Sequence, residues 1–145
     1  MEIQLKKLWL TMLSPAVVLL LALYGLQKSR GTDAHPLLLQ HPWIGPLLML
    51  GAVFFALVFP IGLRTLMVYR NRDARGLEEG EFLAFEKHTL HFALVAPYFA
   101  VAAGFFGVSK LLLGISALSA LYAVYYFYPS PKRLDYERRV FRVGK

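Results

Sequence analysis

Four long apolar blocks, separated by short polar segments, set the plan of this chain: residues 8–26, 43–63, 91–108 and 111–128. A helix needs about 20 apolar residues to cross a bilayer core about 30 Å thick. The first two blocks reach that length, and the last two gain a turn from their flanks. Lipid leaves no backbone polar group a solvent partner, so blocks of this kind must be helical. The alternation of polar and apolar residues that marks a membrane β-barrel strand is absent. The pattern predicts an all-α polytopic membrane protein, one four-helix transmembrane domain over residues 1–145. Its helices are expected at 8–26, 43–69, 82–108 and 111–128, followed by a basic tail at 129–145.

The punctuation between the blocks is informative. Lys6 and Lys7 precede the first block as in a secretory signal peptide. The block is longer than a signal's apolar region, however, and Leu23-Tyr24-Gly25-Leu26 is a poor cleavage site, which makes it an uncleaved first helix. Gly31, Pro36 and Pro42 break the chain before the second block. Between them Leu37-Leu38-Leu39 dips into the interface, and Trp43 marks the membrane surface. Pro60 predicts a kink near the inner end of helix two, and Arg64, one turn on, snorkels to the interface. Pro97 interrupts helix three, Ser109-Lys110 turns the chain into helix four, and Pro129 and Pro131 stop it. Ala96, Ala100 and Gly104 on helix three, and Ser116 and Ala120 on helix four, recur every fourth residue. Small-residue stripes of this kind let helices approach closely within one chain. Tyr122, Tyr125, Tyr126, Phe127 and Tyr128 form an interfacial belt.

Charge fixes the expected orientation. The formal net charge is +7, but its placement points to a membrane and away from nucleic acid. Thirteen of the sixteen Lys and Arg residues fall on one face of a four-span topology and three on the other. By the positive-inside rule both termini are cytoplasmic. The segment from Arg64 to Lys87 runs basic first (Arg64, Arg70, Arg72, Arg75) and acidic second (Glu78, Glu79, Glu81, Glu86). That order suggests ion pairs across the hairpin turn, or a docking surface. The tail, with Lys132, Arg133, Arg138, Arg139, Arg142 and Lys145, suits anionic lipid headgroups, at about 1 kcal/mol per basic residue, or a neighbouring subunit. The chain has no cysteine, which excludes disulfides, thiolate nucleophiles and cysteine metal sites.

Candidate chemistry is sparse. No ionisable residue sits in mid-block, where pumps, ion-coupled transporters and voltage sensors place theirs. Inverted repeats with paired broken helices are also missing. His88 and His91, at i and i+3, share a face of helix three with Glu81 two turns earlier. They are candidate ligands for a metal or haem iron, or hydrogen-bond partners of a quinone head; the plainer reading is a pair of interfacial histidines beside Glu86. Two histidines of one helix cannot take opposed axial positions on one haem, so such a site needs a second helix or chain. His35 and His41 each precede a proline and sit in extended backbone. The candidate cofactor-binding residues are His88, His91, His41 and Arg64, with haem b or a quinone as cofactor and no catalytic or metal-ligating set.

The stretch KHTLHFALVAPYF resembles the second helix of the membrane-associated eicosanoid and glutathione metabolism family. Lys87, Pro97 and Phe99 fit its pattern, while His91 stands in place of an Asn and Leu94 in place of a Glu. That resemblance implies a membrane-bound glutathione transferase acting on lipophilic substrates, although the two replaced residues are those that carry the glutathione-related function. HPWIGPLLM, with the histidines opening helix three, resembles the small four-helix haem-b membrane cytochromes, whose full set of paired ligands across helices is not present here. The expectation from the residues themselves is an accessory or structural subunit of a larger complex, respiratory or photosynthetic, in a cytoplasmic membrane of bacterial type. Its expected partners are other membrane subunits and the bilayer; the alternatives are a haem- or quinone-binding electron-transfer subunit and the transferase.

Overall fold

A computed structural model describes residues 2–30, 40–71 and 76–143. Those residues are helical throughout, joined by turns, with no strand among them. His35, Pro36, the Leu37-Leu38-Leu39 segment, Arg72, Arg75 and Lys145 lie outside the described residues. Among the described residues five helices follow in order: α1 (Glu2–Arg30), α2 (Ile44–Arg70), α3 (Glu79–Phe105), α4 (Lys110–Tyr126) and α5 (Pro131–Val140). Three segments among the described residues are long and apolar enough to cross a membrane: Glu2–Leu26, Ile44–Arg70 and Glu79–Phe105. Helix α4 has 17 residues and so spans about 25 Å at 1.5 Å per residue. It counts as a fourth span when joined to α5 across an 80° bend.

Differences from the expected boundaries have local causes. Helix α1 starts at Glu2, six residues before the apolar block, because Glu2 and Lys6 pair at 2.5 Å across one turn and an acid in the first turn favours the helix dipole. Helix α3 stops at Phe105, where Gly107 takes φ +66°. The N–H of Val108 donates to the carbonyl of Ala103, and that of Gly107 to the carbonyl of Gly104, a Schellman cap. Pro60 does not end α2. The turn ahead of it widens into a π-helical segment, Phe54–Val58, and the helix runs on to Arg70. Pro97 breaks α3 as expected, at a turn over Leu94 and Val95.

Small residues hold the helices together. Ala96, Ala100, Ser116 and Ala120 are buried as the stripes predict. The facing stripe on α2 has no counterpart in the sequence reading: Gly45, Ala52, Ala56 and Pro60 are all buried. A methyl group at Gly51 would come within 2.4 Å of the Phe99 ring, and one at Gly45 within 3.1 Å of Val108. In lipid, where apolar association brings little, contact of this closeness is what binds helices. Helix α1 is peripheral. Its first half is anchored by Leu5 in the core, by the Trp9 indole N–H donating to the Val124 carbonyl at 3.3 Å, and by the Tyr98 hydroxyl donating to the Met12 carbonyl at 2.6 Å. Residues 17–22 are all exposed.

The chain after Pro129 departs furthest from expectation. It forms a helix docked across one end of the bundle in place of a free basic tail. Ser130 caps α5 by accepting from the Arg133 N–H at 3.3 Å, and Pro131 occupies the first turn, where it has no N–H to waste. Leu134, Glu137 and Phe141 then recur at helical spacing and are buried. Leu134 joins the core with Leu5, Leu90 and Phe127, while Phe141 packs with Leu77 and Phe82. The start of α1, the end of α2, the start of α3 and α5 therefore share one end of the molecule.

Candidate functional site

At that end two acids are buried, and each meets an arginine. Glu86, on α3, has a side chain only 3% exposed; Arg133 Nη2 donates to its Oε2 at 2.8 Å. The same guanidinium donates through Nη1 to the Phe127 carbonyl at 3.0 Å, with its carbon 5.3 Å from the Phe127 ring centre. Glu137, one turn further along α5, lies 3.3 Å from Arg64 Nη2 on α2. That contact attracts as charge, but its angle is not that of a hydrogen bond, and Glu137 Oε2 has no hydrogen-bond partner among the described residues. A buried carboxylate without a partner is expensive, so the α5 register is set by both pairs at once. A third pair, Arg138 with Glu79, lies in solvent at the rim. Of the two expectations for the charged hairpin, the docking surface is seen among the described residues: α5 lies across the ends of α2 and α3 and pairs with Arg64 of the first and with Glu79 and Glu86 of the second.

Beside the buried pairs lies a cavity of about 100 Å³ between α2, α3 and α4. Arg64, Glu86 and Thr89 contribute its polar wall; Phe85, Tyr122 and Tyr126 contribute aromatic surface. Pro60 and Ala56, from the widened turn of α2, close one side.

A second concavity, a groove of about 410 Å³, runs between α2 and α3 and holds His88 with Arg70, Asn71, Glu81 and Phe92. His88 Nδ1 lies 2.7 Å from the Ala84 carbonyl. A carbonyl only accepts, so Nδ1 donates; in the neutral ring this tautomer leaves the lone pair on Nε2. His91 makes the corresponding contact to the Lys87 carbonyl at 3.3 Å and is exposed. His41 is exposed at the far end of α2 with its ring 5.9 Å from that of Trp43. Twenty helical residues, about 30 Å, separate that end from Arg64. Of the four residues singled out from the sequence, His88 and Arg64 border cavities, one each, with Phe85 between them. No three His, Asp or Glu side chains among the described residues gather as a metal site.

Thr89 and Glu137 were not singled out by the sequence, and Glu86 and Arg133 were named there only within the charged hairpin and the basic tail. Arg133 and Glu137 are four apart behind a Ser-Pro helix start, and that pattern could have flagged a docked helix. Glu86 and Thr89 carry no such signal, because their burial depends on α5 and α4. No protein-family model, curated protein or solved structure matches this chain, so its chemistry is read from its own side chains.

Proposed function

We propose that this chain is an integral membrane accessory subunit that binds larger membrane proteins and performs no reaction of its own. The observation that carries this reading is the closure of the buried charges. Glu86 is matched by Arg133 and Glu137 by Arg64, so the chain's polar chemistry fastens α5 to its own helices instead of lining a path through the bilayer. In this reading the α5 end faces the cytoplasm of a bacterial-type inner membrane, following the excess of basic residues there. Lys132, Arg139 and Arg142, exposed on or just after α5, meet anionic headgroups. The uncovered apolar flank of α1, Val17 to Leu21, is the surface for a partner's helix. Native mass measurement after extraction in mild detergent tests this: co-migration with larger subunits is expected, and a monomer in pure lipid overturns it.

One observation favours a second reading, haem binding for electron transfer. The His88 tautomer leaves Nε2 free at the edge of a groove with apolar walls. A second axial ligand would have to come from another helix or another chain, since His91 lies on the same helix. A Soret band in the purified protein that disappears on His88→Ala would establish it; a colourless preparation from haem-replete cells would dismiss it.

A further inference from the structure

We propose that the cavity bordered by Arg64, Glu86 and Thr89 binds the head of a lipophilic quinone or quinol, entering from the bilayer between α2 and α4. The proposal is independent of partner binding and of haem, because the flank of α1 and His88 lie elsewhere.

Thr89 is the first clue. A helical hydroxyl ordinarily returns to the carbonyl one turn back. Ser116, Ser119 and Thr65 do so, bonding the carbonyls of Leu112, Ile115 and Ile61 at 2.9 Å each. Thr89 does not. It is 4% exposed, borders the cavity, and its hydroxyl has no hydrogen-bond partner among the described residues. A buried hydroxyl left in this state is a standing cost that a ligand oxygen would remove.

The walls select the ligand. Arg64 and Thr89 offer donors to a carbonyl oxygen, and the Glu86 carboxylate accepts from the hydroxyl of a reduced ring. Phe85, Tyr122, Tyr126 and Phe127 supply flat apolar contact, with the two tyrosine rings stacked 5.2 Å apart and inclined by 12°. Two arginines already balance two carboxylates here. A phosphate-bearing head would add uncompensated negative charge, whereas a neutral head adds none. The volume of about 100 Å³ is below the roughly 150 Å³ of a cavity known to hold benzene. It therefore takes the oxygen-bearing edge of a ring, and the remainder lies in the mouth. The mouth is rimmed by Ile61, Tyr122 and Tyr126, all exposed, so an isoprenoid tail would run out along the apolar flanks of α2 and α4. The adjoining π turn of α2 is a feature frequent at ligand sites.

The test is calorimetric titration of decylubiquinone into the purified full chain in phosphatidylcholine nanodiscs. Saturable binding is expected. Thr89→Val should weaken it about three- to tenfold, the share of one hydrogen bond, with thermal stability unchanged or raised. Ile61→Trp, at the exposed rim, should abolish binding without touching the buried pairs. The proposal is overturned by the absence of saturable binding, by affinity that neither variant changes, or by displacement of the quinone by phosphatidylglycerol, which would make this a lipid headgroup site. None of these outcomes bears on native mass, so failure here leaves the accessory reading standing.

Discussion

The two ends of this bundle are held by different physics. At the end where α2 starts and α3 finishes, helices meet through the absence of side chains. Gly51 lets Phe99 approach to a distance that a β-carbon would obstruct, and a β-carbon at Gly45 would press on Val108. At the other end, helices are joined by charge: α5 reaches Glu86 with Arg133 and Arg64 with Glu137. The contrast is the one expected of helices that cross a bilayer. Inside an apolar medium, packing must come from close contact of small residues, because an ion pair there is dearly desolvated. At the interface, long arginine stems lie along apolar surface while their heads find partners.

This comparison can be broken from either side. The largest effect is expected from Arg133→Met, which strands the Glu86 carboxylate and removes the bond to the Phe127 carbonyl. A loss of about 3–5 kcal/mol is expected, readable as detachment of α5 in hydrogen exchange. A wild-type exchange pattern would show that the charged end does not depend on this pair. Next comes Gly51→Val at the close-packed end. The Phe99 ring must yield, at about 1–3 kcal/mol, and a cross-link between α2 and α3 should form more slowly in the variant. Arg142 holds φ +51° in a cap where the Val143 N–H donates to the Arg138 carbonyl. Gly107 performs the same task at the other end without strain. Arg142→Gly should therefore stabilise the protein, by up to about 1 kcal/mol, seen as a higher midpoint in thermal unfolding. Smallest is Glu79→Ala, which removes the exposed pair with Arg138. The change should stay within about 0.5 kcal/mol, and a larger loss would mean that the rim contributes as much as the buried pairs.

Much of the fold was readable along the chain. The helical blocks, the break before Pro97 and the stripes on α3 and α4 are local patterns, and each reappears in the structure. The facing stripe on α2, with Gly45, Ala52 and Ala56, was equally present but was masked by the larger Leu, Phe and Val residues around it. Of the candidate site, Arg64 was found for its position near the interface, not for its partner. The histidines drew attention as chemical types, yet His41 and His91 are exposed and only His88 borders a groove. Glu86 pairs with a residue 47 positions away, a separation at which no periodicity speaks.

By itself the sequence determined an all-helical chain with apolar segments of membrane-crossing length, because that outcome needs only hydrophobic runs and the backbone's demand for internal hydrogen bonds. The tertiary structure alone decided what the basic tail does. Ser130 and Pro131 read equally as the end of one helix and as the cap of another. The buried acids of α3 and α5, meeting the arginines of α5 and α2, together with buried Leu134 and Phe141, chose between a loose cationic tail and a docked helix. The packing of α2, α3 and α4 in turn placed Thr89 beside Arg64 and Glu86. Such a site arises from three helices meeting, and so it is written in none of them singly.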